Sequence, residues 1–309
     1  MNIELLKSLC DACAVSGDEQ EVRDVLIDAL EGHADEITFD GLGSVIARKG
    51  ARGPKVAIVG HMDEVGFMVT HITEKGFIRF DTVGGWWNQS MLNHRVTIRT
   101  RSGAKIPGVI GSVAPHALSE KQKQQPMTFD EMFIDIGANS REEVQNRGIA
   151  MGDFACPEAN FARWGEDKIV AKALDNRVGC ALMVELLLMV NNPNITLYGV
   201  GSVEEEVGLR GAQTSAECVK PDVVIVLDTA VAGDVPGIDA ATFEQRRVAY
   251  QRQRQSEFFA TWQIDEVADH VVRPGESLWA LAGRTYKVPV WLLRQYNANI
   301  DLDRVIPGM

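Results

Sequence analysis

The sequence predicts an α/β fold with a separate all-β piece inserted into it, on three observations. PKVAIVG (54–60) is a compact apolar run with Val and Ile, the mark of a strand buried on both faces and therefore of a sheet covered by helices. From about residue 66 to 167 the texture changes to short β-rich pieces separated by Gly-containing turns. Helical periodicity then returns at 175–191, with two more buried-strand candidates at 195–203 (ITLYGVGSV) and 222–228 (DVVIVLD).

Element by element, the amino end predicts an amphipathic helix over 3–14. Ser16 or Asp18 is the expected cap of a second helix, roughly 19–30. Strands are expected at 36–40 and 44–48, ahead of the run at 54–60. The pieces FMVTHIT, GFIRFDTV, HRVTIRT, KIPGVIGSV and MFIDIGA fit a small barrel or sandwich. A helix near 208–218 should connect the last two buried strands. After about residue 240 the chain turns polar, basic and helical in propensity (EQRRVAYQRQRQSEFF), and residues 270–309 form a further unit.

Composition narrows the function classes. With 45% hydrophobic and 24% charged residues the chain is an ordinary globular sequence. A formal net charge of −12 argues against nucleic acid as a partner, because phosphate binding wants clustered cations. No apolar run is long enough to span a bilayer, and Glu4, Lys7 and Asp11 interrupt any signal-peptide core at the amino end. Free thiols in a reducing cytoplasm are therefore the expectation for Cys10, Cys13, Cys156, Cys180 and Cys218. The Cys10/Cys13 pair fits helix packing better than a metal site, since no second pair of that spacing exists.

Chemistry-bearing residues sit where apolar strands end, which is where α/β sheets place ligands. His61-Met62-Asp63-Glu64 follows VAIVG, Asp175 stands at a helix entry, Glu204-Glu205-Glu206 follows ITLYGVGSV, and Asp228 ends DVVIVLD. Singly, each has a plainer reading as a polar strand edge, a helix cap or a solvated acidic face. Together, carboxylates and an imidazole converging in one cleft repel one another unless cations bind there, and mixed N and O donors suit zinc, cobalt or manganese.

GHMDEVGF, ALDNRVG, EEEVGLRGA and LDTAVAGDVPG, in that order, resemble the M42 glutamyl-aminopeptidase family, which includes the tetrahedral aminopeptidases. VSGDEQEVR and FDGLGSVIA near the amino end resemble it too, so the likeness covers about residues 1–240. It implies an αβα (phosphorylase/hydrolase-like) catalytic domain from 1–66 and 167–240, with a β-barrel domain inserted at 67–166. It also implies two divalent ions per subunit, zinc or cobalt, peptide substrates and self-association. Carried over by motif, His61 and Asp228 would hold one metal, Asp175 would bridge both, and Glu206 would hold the second. Asp63 would orient the His61 ring, and Glu205 would be the general base. The family pattern has two glutamates directly before Val-Gly, which selects Glu205 and Glu206 over Glu204.

After DVPGID the resemblance stops, and the family's closing strands, helices and carboxy-terminal histidine ligand are not recognisable. Residues 241–268 are expected to be a helical linker. HVVRPGESLWALAGRTYKVPVWLLRQYN, with Ile306-Pro307-Gly308 as its final turn, resembles a βααβ LysM module at 269–309, stopping before the last strand. That resemblance assigns His270 to the module and implies binding to an N-acetylglucosamine-containing glycan, peptidoglycan or chitin. The abutting of two unrelated resemblances is what a gene fusion would give.

A metal-dependent aminopeptidase, impaired by loss of the last histidine, is thus the leading expectation. Two others stand beside it: a glycan-binding protein with an inactive peptidase scaffold, and a dinuclear hydrolase acting on a glycan or acyl-amide. His33, His71 and His94 are expected to be structural, His116 is unassigned, and Trp86 and Trp87 fit either a substrate pocket or a buried turn.

Overall fold

The computed structural model describes residues 1–230, 232–233, 235–261, 270–273, 281–286, 288 and 292–293. The chain divides into two compact units, 1–229 and 230–309.

In the first unit, helix α1 (Ile3–Asp11) is capped by Asn2, whose side chain accepts from the amides of Glu4 and Leu5. It buries Leu6, Leu9 and Cys10, while Cys13 lies beyond the helix end and is also buried. Helix α2 (Gln20–Leu30) has no side-chain cap. The Ser16 hydroxyl donates instead to Asp63, and Asp18 is engaged by Arg99, so neither expected cap is free for the role. Strands β1 (Glu36–Phe39), β2 (Val45–Lys49) and β3 (Lys55–His61) follow.

Next comes a closed barrel. Its strands are β4 (Gly66–Ile72), β5 (Ile78–Val83), β6 (Arg95–Arg99), β7 (Lys105–Ser112), β8 (Met132–Asp135) and β9 (Phe154–Pro157), in spatial order β4-β5-β8-β7-β6-β9. Short helices α3 (Glu120–Lys123) and α4 (Arg141–Asn146) decorate it, and Phe67, Val69, Ile78, Ile98, Ile110 and Ile134 fill its interior. A two-stranded ribbon, β10 (Ala162–Trp164) with β11 (Lys168–Val170), leads back to the main sheet.

Helix α5 (Leu174–Met189) packs on β3 and buries Cys180, Met183, Val184 and Leu187. β12 (Thr196–Ser202), α6 (Arg210–Val219) and β13 (Val223–Val226) complete a five-stranded sheet of order β1-β2-β12-β3-β13. β3 runs parallel to both β12 and β13, with Ser202 paired to His61 and Val226 paired to Val59. This register brings the ends of three strands to one edge, and every sequence-predicted site residue lies there or at the start of α5.

β12 is buried as expected, but β13 is not. It is the edge strand, and Val224, Ile225 and Val226 are 47%, 46% and 66% exposed. The apolar run has the composition of a covered strand, but no neighbour lies beyond it among the described residues.

Gly60 on β3 lies against Gly179 on α5, closely enough that a Cβ on Gly60 would meet the Gly179 carbonyl carbon at 2.7 Å and the Cys180 amide nitrogen at 2.8 Å. Both obstacles are backbone and cannot rotate away. Gly60→Ala should therefore cost at least the ~1–3 kcal/mol typical of an overpacked core. Urea denaturation checks this; a loss below ~0.5 kcal/mol would show that the strand and helix can separate freely.

In the second unit, α7 (Ala240–Thr261) is one long helix, and residues Leu281–Tyr286 form a π-helical turn. The expected LysM elements at 274–279 and 306–308, and Pro289, lie outside the described residues. Among the described residues, no helix is long and apolar enough to cross a membrane.

Candidate metal centre

His61, at the end of β3, is the hub. Its Nε2 lies 3.1 Å from Asp175 Oδ1, 3.8 Å from Glu205 Oε2 and 3.9 Å from Asp228 Oδ1. Ligand atoms of His61, Asp175 and Glu206 all fall within 4.8 Å of one another. The imidazole is 4% exposed, whereas the Asp175 and Asp228 side chains are 57% and 46% exposed, so the carboxylates surround a buried ring and face outward.

Asp63 organises the cluster from beneath. Its Oδ1 stands 3.3 Å from His61 Nδ1, and its carboxylate accepts the amides of Glu205 at 3.0 Å and Glu206 at 3.1 Å, together with the Ser16 hydroxyl at 2.6 Å. A fully buried carboxylate is unfavourable in itself, but the hydrogen bonds from His61 and Ser16 hold it below the usual carboxylate range. One side chain thus fixes both the imidazole and the backbone that carries the two glutamates.

Glu204 is directed elsewhere. Its backbone is left-handed (φ 51°), its amide donates to the buried Glu19, and its carboxylate pairs with Arg210 at 3.0 Å.

Helix α5 begins irregularly. Asp175 has non-helical dihedrals, so it stands ahead of the regular helix. Asn176 is the residue that ties the helix down, its Oδ1 accepting the Gly179 amide at 3.0 Å and its Nδ2 donating to the Leu227 carbonyl at 2.7 Å. It therefore joins the neighbours of Asp175 and Asp228, a link that reading Asp175 alone does not reveal.

Behind the cluster lies a buried charge triad that the sequence reading also missed. Glu64 Oε1 accepts from Lys172 Nζ at 2.6 Å and from Arg177 at 3.2 Å, while Arg177 also donates to the carbonyls of Leu9 and Ala14. The position of Glu64 directly after Asp63 was the only sequence signal for it.

The cluster opens into a cleft of about 740 Å³, lined by Trp86, His94, Arg95, Glu158, Asp175 and Glu206 among others. Trp86 stacks on Phe67 and donates its indole N–H to the Gly66 carbonyl, whereas Trp87 is exposed. His94, expected to be structural, lies on the cleft wall; His33, His71 and His116 are exposed.

Charge crowding shows in the titration behaviour. Burial, reinforced by Asp175 and Glu205 and opposed by His61, pushes Glu206 up to about 7. Burial opposes charging of His61, but Asp63, Glu205 and Asp175 raise it to about 9. Both shifts are upward, so each stabilises the fold most at low pH. The Glu206 contribution is complete below its ordinary value of 4.5 and gone above about 7, and that of His61 is complete below 6.5 and gone above about 9. Chelator-stripped protein should therefore melt at progressively lower temperature from pH 5 to pH 9. Zinc should oppose the trend, because binding requires deprotonated ligands. Calorimetric melts across that range check it, and a flat or rising profile in stripped protein would contradict the crowding.

The arrangement fits a divalent ion: carboxylates converging on one imidazole are an N/O donor set of the kind zinc or cobalt takes. The profile of the M42 glutamyl aminopeptidase family matches residues 43–246. The chain belongs to this family. Among its relatives is FrvX, a candidate aminopeptidase of Escherichia coli (strain K12), 81% identical over 239 residues that make up 77% of this chain and 67% of FrvX. The TET aminopeptidase of a marine-sediment thaumarchaeon superposes with a TM-score of 0.74 at 41% identity, covering 77% of this chain and 67% of that one. The TET1 peptidase of Pyrococcus horikoshii, which can assemble into a tetrahedron or a large octahedral shell, gives 0.68 at 29% identity, covering 75% and 72%. This chain thus spans about two thirds of the length of these relatives. M42 aminopeptidases are metal-dependent, and His61, Asp175 and Glu206 lie close enough together that they could hold a metal ion. Residues 270–309 match the LysM domain, a glycan-binding module, so the carboxy-terminal part matches a different family from the M42 part.

Proposed function

We propose that this M42 aminopeptidase removes residues from the amino ends of peptides with two divalent ions, zinc or cobalt, held by this cluster. Convergence of Asp175, Glu205 and Asp228 on a single buried imidazole is the observation that carries the reading. His61 and Asp228 would hold one ion, Asp175 both, and Glu206 the second. Bound there, such ions polarise the scissile carbonyl and acidify a water. The chain's own residues do the rest. Glu205 accepts the water's proton and delivers it to the departing amine, and Asp63 keeps the imidazole oriented.

The second ion has only Asp175 and Glu206 as protein ligands among the described residues, so its affinity should be the weaker. We place the catalytic domain at 1–66 and 167–240, the inserted barrel domain at 67–166, the helical linker at 241–268 and the LysM-like module at 269–309. The cytoplasm is the proposed site of action, with self-association of the M42 part. The test is zinc titration of stripped protein followed by hydrolysis of aminoacyl p-nitroanilides. Saturable binding with zinc-dependent hydrolysis is expected, and binding without hydrolysis would defeat the activity.

The LysM match favours one further reading, a glycan-binding protein whose peptidase part is scaffold. Sedimentation with insoluble peptidoglycan or chitin in the absence of any hydrolysis would establish it, and a protein left in the supernatant would exclude it.

A further inference from the structure

The Cys-x-x-Cys of the sequence divides in the structure. Cys10 is buried on α1, whereas Cys13, past the helix end, meets Cys156 on β9 of the barrel. These two free thiols share a small buried cluster with Val15 and border the same narrow space beside Thr97 and Phe154. They are hydrogen-bonded to each other.

The junction around them carries cations. The Cys13 amide donates to Glu21 at 2.8 Å, and that carboxylate also takes Lys105 of β7 at 2.8 Å and Arg99 of β6 at 3.3 Å. Lys172 donates to the Ala12 carbonyl at 2.7 Å. The hydrogen bond from Cys156, helped by Lys172 and Lys105, holds the Cys13 thiol below its ordinary value against burial, while the same bond and burial hold Cys156 well above it. Burial pushes the other two buried thiols up instead, Cys10 to about 11 and Cys180 to about 12. Buried thiols of that kind are inert, whereas one biased toward its thiolate beside a second thiol is set up as a redox pair.

We propose that Cys13 and Cys156 form a disulfide on oxidation by hydrogen peroxide, tying the barrel to the segment beneath the metal cluster. The Cys13 sulfur attacks one peroxide oxygen: the S–O bond forms, the O–O bond breaks, and the departing hydroxide takes the thiol proton and leaves as water. The Cys156 sulfur then attacks the resulting sulfenic acid. The S–S bond forms, the S–O bond breaks, and the second hydroxide leaves as water with the Cys156 proton. Both sulfurs are oxidised and one peroxide is reduced to two waters. Cys13 and Cys156 are 6% and 1% exposed, so the oxidant is a small neutral molecule that enters as the junction opens locally, and the reaction is slow. Ser16, shortly after Cys13, donates to Asp63 under the His61 ring, and Pro157 and Glu158, directly after Cys156, line the cleft. The bond therefore fixes the wall of the cleft against its floor.

The test is peroxide treatment of the full chain carrying Cys218→Ser, which removes the exposed thiol, followed by peptide mapping without reduction. A Cys13–Cys156 cross-linked peptide that disappears with dithiothreitol is expected. The melting temperature should rise by roughly 5 °C or more, as closure of a long loop does. Cys156→Ala, in the same background, should strand Cys13 as a sulfenic acid that a dimedone probe captures. Cys156→Ser, which keeps the size and the hydrogen bond, gives the same readout if the alanine variant does not fold. Absence of the cross-link after prolonged treatment would overturn the proposal. So would a cross-link through Cys10 in place of Cys13, or a melting temperature unchanged or lowered by the bond. None of these readouts involves hydrolysis, so the proposed activity can fail without affecting them.

Discussion

Glu205→Gln is expected to lower kcat by about 10²–10⁴-fold, the range lost when a positioned general base is removed, with zinc content and melting temperature unchanged. The amide keeps the shape of the carboxylate but cannot take a proton. Glu205 sits at the rim of the cluster, 3.8 Å from His61 Nε2, and its backbone amide is held by Asp63 whatever the side chain is. Burial, with the nearby carboxylate of Asp228, raises its carboxyl above the ordinary value, toward the range in which a base works near neutrality. Steady-state kinetics on an aminoacyl p-nitroanilide, with zinc measured on the same sample, separates the outcomes. Loss of zinc along with activity would make Glu205 a ligand, and loss of neither would remove it from the reaction.

The second large effect is on stability. Glu64→Gln is expected to cost about 3–5 kcal/mol, the cost of breaking a buried ion pair from one side. Glu64 is 2% exposed and is the shared partner of two cations, Lys172 and Arg177, whose side chains are 4% and 0% exposed. The glutamine can still accept a hydrogen bond, but it offers no charge to offset theirs. Chemical denaturation of the wild type and variant measures the loss. A change below ~1 kcal/mol would show that water, or the carbonyls of Ala12 and Ala14 that accept from Lys172 and Arg177, already compensate the cations. A hydrophobic replacement of all three residues together should be better tolerated than the single change.

Much of this was legible in the sequence, for a definite reason. Sheet α/β folds concentrate chemistry at strand ends, so HMDE, EEE and the Asp after VVIVL were visible as polar residues placed where apolar runs stop. The register of β3 with β12 and β13 then brings them together without further information. What was not legible depends on pairs distant along the chain. Ser16 reaches Asp63 across 47 positions, and Arg177 reaches Glu64 across 113. Local pattern made Ser16 a cap, because a serine before a helix is satisfied either way. Asn176 was hidden by its neighbour, since a reading that assigns Asp175 has no reason to look one residue on. The exposure of β13 was invisible for the opposite reason: composition reports what a strand is suited to, not what lies next to it.

The barrel closes through its own first and last strands, β4 pairing with β9 through Phe67 and Ala155. The chain therefore leaves the main sheet and rejoins it at neighbouring points, and bringing those points together costs little loop-closure entropy however long the excursion is. A module attached in this way can be exchanged, enlarged or trimmed without disturbing the register of β3, β12 and β13. His94 and Arg95 on one wall of the cleft belong to that excursion, whereas Asp175 and Glu206 belong to the sheet side. Selection can thus vary the barrel wall of the cleft separately from the wall that carries the candidate ligands, and under the proposed function relatives should diverge in the substrates they prefer well before they diverge in how they cleave them.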